Sequence, residues 1–118
     1  MYDPEYTHNE QIMAYQLPAF FEDLDKNFAG KSVNVERDGD LVYKGEVADW
    51  VTLQSIKFYP KVRKGDALYI ETKHDGEQSK YAFKSPVIVW EVRDQNRQIV
   101  AVQAIDDEGR NIILRFNP

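Results

Sequence analysis

Two histidines, twenty carboxylates and no cysteine limit what chemistry this chain of 118 residues can perform. Without sulfur there is no thiolate nucleophile, disulfide, iron–sulfur cluster or cysteine-ligated zinc, so catalysis would rest on oxygen and nitrogen groups. His74 stands beside Asp75, and a carboxylate next to an imidazole can orient it as a general base. The pair precedes Gly76, however, and short polar residues before a glycine satisfy the geometry of a turn without any catalytic role. His8 has no second ligand at a metal-binding spacing. Asp106-Asp107-Glu108 gathers three carboxylates but lacks the alternating ligands of a calcium loop, and it reads as a solvated turn. The glycines at 39, 45, 65, 76 and 109 are isolated and form no phosphate-cradling loop, while Ser32, Ser55, Ser79 and Ser85 lack the surroundings of a nucleophile elbow. No catalytic residue, cofactor-binding residue or metal ligand is assigned, and no cofactor is expected.

The densest functional signal is Lys57-Phe58-Tyr59-Pro60-Lys61-Val62-Arg63-Lys64, where four cations interleave with two aromatic rings. Cations can neutralise phosphates and rings can stack on bases, which is how single-stranded nucleic acid is held. Trp50 adds a ring able to anchor a protein interface, although packing into the core competes for it. The candidate interaction surface is therefore Trp50, Lys57, Tyr59, Lys61, Arg63 and Lys64. Net charge weighs against nucleic acid: the chain carries −5. That charge is uneven. Residues 1–29 hold six carboxylates against Lys26, giving −5, whereas residues 57–84 hold seven cations against four carboxylates, giving +3. An unidentified protein partner or a second copy of the chain ranks ahead of nucleic acid, with a polyanion bound through 57–84 as the alternative.

These residues must be positioned by a small fold. Hydrophobic residues make up 42%, and fifteen are aromatic, enough for one core and too many for a disordered chain. No apolar run approaches a membrane span, and the acidic start lacks the basic and apolar regions of a signal peptide, so a cytoplasmic protein with no membrane association is expected. Residues 1–16 show no periodicity and read as a loose arm or a short extra helix. From Leu17-Pro18, apolar Phe20, Phe21, Leu24 and Phe28 line one side of a helix, with Pro18 in the first turn and Gly30 as the left-handed stop. Glu22, Asp23 and Asp25 complement the helix end or face water.

Beyond Gly30 the hydrophobic period changes to two. Val33 and Val35 lead through Asp38-Gly39 to Leu41, Tyr43 and Val47. Leu53, Ile56 and Phe58 form a strand stopped by Pro60. Asp66 to Thr72 turns at His74-Asp75-Gly76 into Tyr81 and Phe83. The segments 87–92 and 99–102 are apolar on both faces and read as central strands, with Trp90 in the core. Asp107-Glu108-Gly109 then turns the chain into Ile112 to Phe116. The expected class is α+β: an antiparallel meander, as a strongly bent sheet or small barrel, with the amphipathic helix packed on it and residues 17–118 as a single domain.

Phe20-Phe21 with Leu24, Gly30, Val33-Asn34-Val35-Glu36, Pro86, Ile105-Asp106 with Gly109, and Leu114-Arg115-Phe116 occur in an order that resembles a bacterial family of small proteins known only as a domain of unknown function. The resemblance covers residues 17–118 and implies no activity, ligand or catalytic residue. A non-enzymatic binding or regulatory module is the reading preferred over an enzyme whose site is assembled only by the fold.

Overall fold

Leu17, Phe21 and Leu24 recur at helical spacing behind Pro18, and they form the buried stripe of α1 (Leu17–Phe28). Burying each contributes about 1.5–3 kcal/mol, which more than offsets the weak helix preference of three phenylalanines. The helix ends as expected at Gly30, whose N–H donates to the Leu53 carbonyl (2.7 Å). The computed structural model describes residues 8–39, 50–60, 67–84 and 86–117.

Eight strands accompany the helix: β1 (His8–Ile12), β2 (Ser32–Arg37), β3 (Val51–Tyr59), β4 (Ala67–His74), β5 (Glu77–Lys84), β6 (Pro86–Arg93), β7 (Ile99–Asp106) and β8 (Asn111–Phe116). They pair antiparallel in one sheet of order β1-β6-β7-β8-β2-β3-β4-β5. The α+β class, with a helix on an antiparallel sheet, is as expected. A barrel is not: β1 and β5 are the two ends of the order, and the sheet is open among the described residues. Nor is the order one meander. Two runs, β6-β7-β8 and β2-β3-β4-β5, join where β2 lies against the last strand, from Val33 opposite Phe116 to Arg37 opposite Ile112.

Part of the segment read as a loose arm is ordered. His8–Ile12 pairs with β6 from His8 opposite Arg93 to Ile12 opposite Val89. Ala14–Gln16 then makes a single 3-10 turn before α1. The side chains of β1 are exposed except Ile12, which packs against the core, so the strand owes its place mainly to the backbone ladder of β6. The expected strand through Leu41, Tyr43 and Val47 lies outside the described residues. Among those described, β2 meets β3 only at Ser32 and Val33.

One core unites the elements. Leu17, Phe21 and Leu24 pack with Val33, Leu53, Ile56, Leu68, Ile70 and Phe83, and with Val89, Val102, Ala104, Ile112, Leu114 and Phe116. Phe21 lies 5.3 Å from the Phe58 ring, and Phe28 stacks on Phe116 at 4.0 Å. A gap of about 10 Å³ remains where Phe21 meets β3, β4, β7 and β8, smaller than a comfortable water site and lined only by apolar groups. β6 and β7 bury apolar residues on both faces, with Val89 and Val102 toward this core and Val92 and Ala101 in a second cluster, but β6 lies next to the edge strand and its Val87 is exposed. Trp90 is half-buried, opposite the polar Gln11 and Gln103, and so belongs to neither core cluster. Among the described residues no helix is long and apolar enough to cross a membrane.

Candidate functional site

Alternation along β3, β4 and β5 sends one set of side chains into the core and the other to the opposite face. Leu53, Ile56, Leu68, Ile70 and Phe83 take the inner positions and are buried. The tight Asp75-Gly76 turn, with both residues at positive φ (50° and 84°), fixes the pairing of β4 with β5. Three outer rows follow: Ser55–Glu71–Lys80, Lys57–Tyr69–Ala82 and Tyr59–Ala67–Lys84. Lys73, between Thr52 and Gln78, extends the face by a fourth. Four lysines thus share a face with one glutamate, around two tyrosines.

Tyr59 is 48% exposed and Tyr69 half-buried. Their rings meet edge to face, 5.7 Å between centroids, and Lys80 Nζ lies 4.8 Å from the Tyr69 centroid. That cation sits against the negative face of the ring, an arrangement worth about 0.5–1 kcal/mol at an exposed site. Lys57 Nζ lies 3.5 Å from Asp25 Oδ2 on α1, while Oδ1 of the same carboxylate accepts the Ile56 N–H at 2.7 Å. Among the described residues Lys73, Lys80 and Lys84 form no ion pair, and Lys84 shares a hollow with Asp38, Asp106, Asp107 and Glu108.

Of the residues singled out in the sequence, Lys57 and Tyr59 come together on this face. Lys61, Arg63 and Lys64 lie outside the described residues. Trp50 is half-buried beyond the far end of β3, about 30 Å of strand from Tyr59, so it belongs to a different part of the surface. Tyr69, Lys73, Lys80 and Lys84 were not singled out as a site, because their convergence depends on strand pairing. The signal was present: a two-residue turn at Asp75-Gly76 sets Tyr69 opposite Ala82 and Glu71 opposite Lys80.

Other titratable groups are engaged in local structure. His74 Nε2 and Asp75 Oδ2 are 3.3 Å apart in the exposed hairpin turn. Asp106 Oδ1 accepts the N–H groups of Glu108 and Arg110, both at 2.9 Å, closing its own turn. Arg110 pairs with Glu108, and this hydrogen-bonded carboxylate holds the guanidinium pKa above its usual value. Two open hollows contain charged groups: about 380 Å³ where Arg37, Lys84 and Arg110 meet Asp38, Asp106, Asp107 and Glu108, and about 490 Å³ beside His8, Glu10, Arg93 and Arg97. In the second, Arg93 pairs with the buried Glu91 and donates to the Arg97 carbonyl at 2.6 Å. No three His, Asp or Glu among the described residues are grouped to hold a metal ion. In comparisons with known proteins, no family model matches the chain, and neither the curated proteins nor the solved structures give a significant match.

Proposed function

We propose that the protein is a non-enzymatic binding module that holds an anionic partner on the outer face of β3–β4–β5. One observation carries the reading: Lys57, Lys80 and Lys84 stand around Tyr59 and Tyr69, with Lys73 beyond Glu71, on a face whose opposite side is sealed into the core. A rigid sheet presents such groups at fixed spacing, so little ordering entropy is lost when a partner binds. Opposed charge would also speed encounter, in a salt-dependent way. The resemblance of residues 17–118 to an uncharacterised bacterial family belongs to the proposal as well, and it supplies no partner.

Titration of the ¹⁵N-labelled protein with a short polyphosphate tests the surface. Amide shifts are expected at residues 55–59, 67–73 and 78–84, and Lys80→Glu with Lys84→Glu should abolish them. Shifts confined to the region of His8, Arg93 and Arg97 would place anion binding elsewhere and overturn the reading.

A further inference from the structure

We infer that the anionic partner is a single-stranded nucleic acid, with a base stacked on Tyr59 and phosphates met by Lys73, Lys80 and Lys84; this rests on the binding reading above. The net charge of the chain argues against nucleic acid only while its charges are taken together. In the fold they are sorted in part: Glu22 and Asp23 lie exposed on α1, and the outer face of β3–β4–β5 carries four lysines and Glu71, with Asp25 beside Lys57 at one edge and Asp38, Asp106, Asp107 and Glu108 in the hollow beside Lys84 at the other.

On that face a pair of rings lies among cations, which suits a single strand that offers both flat bases and charge. Tyr59 is the open platform at 48% exposure. Tyr69 meets it edge-on and is backed by Lys80, so the platform is held in place. Ala67 and Ala82 are the small neighbours in the same two rows, Ala67 buried and Ala82 exposed. Lys57 and Lys84 stand at opposite sides of this shelf, on the order of 12 Å apart given strand spacing and rise. A duplex keeps its bases stacked inside and offers the tyrosines nothing, while an acidic peptide would need the lysines without the rings.

Fluorescence anisotropy with labelled dT12 and rU12 tests the inference, alongside a 12-base-pair duplex and a polyglutamate peptide of equal charge. Single strands should bind more tightly than the duplex. Log affinity should fall with log salt at a slope of about −1.5 to −2, as for two or three phosphates. Lys80→Gln should flatten that slope by about 0.7. Tyr59→Ala should weaken binding about tenfold with the slope unchanged, and Tyr59→Phe should restore it, which separates stacking from any loss of folding. The tighter of dT12 and rU12 distinguishes DNA from RNA as the source, and either supports the inference. Equal binding of duplex and single strand, or indifference to Tyr59→Ala, overturns it. Polyglutamate binding without oligonucleotide binding overturns it too, yet leaves the anionic-partner reading standing. If no anion binds at low salt and high micromolar protein, both fail.

Discussion

Two aspartates set the hairpins on either side of β7. Asp94 Oδ1 accepts the N–H groups of Asn96 (2.9 Å) and Gln98 (3.0 Å), and Asp106 Oδ1 accepts those of Glu108 and Arg110. Each loop then places its fourth residue in the left-handed region, Arg97 at φ 63° and Gly109 at φ 82°. The two loops are built alike, but only one has the residue that adopts this conformation freely. A left-handed conformation costs an L-residue roughly 1–2 kcal/mol, and glycine recovers part of this while losing about 0.5–1 kcal/mol of chain entropy. Arg97→Gly should therefore raise stability by up to about 1 kcal/mol, since the carbonyl that accepts from Arg93 is kept. Gly109→Ala should lower it by about 1 kcal/mol, although a Cβ there meets nothing within 4 Å. Urea midpoints of the two variants measure both; a shift of the same sign in each would contradict the shared geometry.

At the scale of elements, α1 covers an edge that the sheet leaves bare. Among the described residues β2 meets β3 only at Ser32 and Val33, and on the helix side of Ser32 the ladder is continued by the chain leaving α1: Gly30 donates to Leu53, and Leu53 to the Lys31 carbonyl at 2.9 Å. Asp25 then takes the next exposed donor, Ile56 N–H. Asp25→Ala should cost about 1–3 kcal/mol by leaving that donor unmet, whereas Asp25→Asn keeps an acceptor and should cost under about 1 kcal/mol, the scale of the exposed ion pair with Lys57. Thermal denaturation of both variants decides whether the hydrogen bond or the charge matters. Asp25 was legible in the sequence only as a helix carboxylate facing water or the helix end, because its partner is a strand edge created by long-range pairing. The helix itself was legible from Pro18, the apolar spacing and Gly30, and the β4–β5 hairpin from Asp75-Gly76. By contrast β1 was not, since HNEQI has no apolar alternation and pairs through its backbone. The proposed binding face was half legible: Lys57 and Tyr59 stood out as a dense run, while Tyr69, Lys80 and Lys84 needed the register of the turn.

At the scale of the molecule, strand order decides what the core can be. Sequence rhythm finds strands but says nothing of β2 lying between β8 and β3, an arrangement closed by Asn117 N–H donating to the Ser32 carbonyl at 3.1 Å. That order links the N-terminal and C-terminal runs, so α1 packs against both and Phe21 sits where β3, β4, β7 and β8 meet. If the chain is one cooperative unit, a cavity at this junction should weaken every element together. Phe21→Ala should remove about 3–5 kcal/mol, a large share of the roughly 6–18 kcal/mol expected for a domain of this size. Unfolding by urea should stay a single transition when followed by far-ultraviolet circular dichroism and by tryptophan fluorescence, with an unchanged denaturant slope and a lower midpoint. Trp50 and Trp90 report different parts of the sheet, so their fluorescence is a fair probe of its unity. Loss of helical signal ahead of the fluorescence change would mean that α1 detaches from a sheet stable without it, and the shared core would then not be what holds the outer face of β3–β4–β5 rigid.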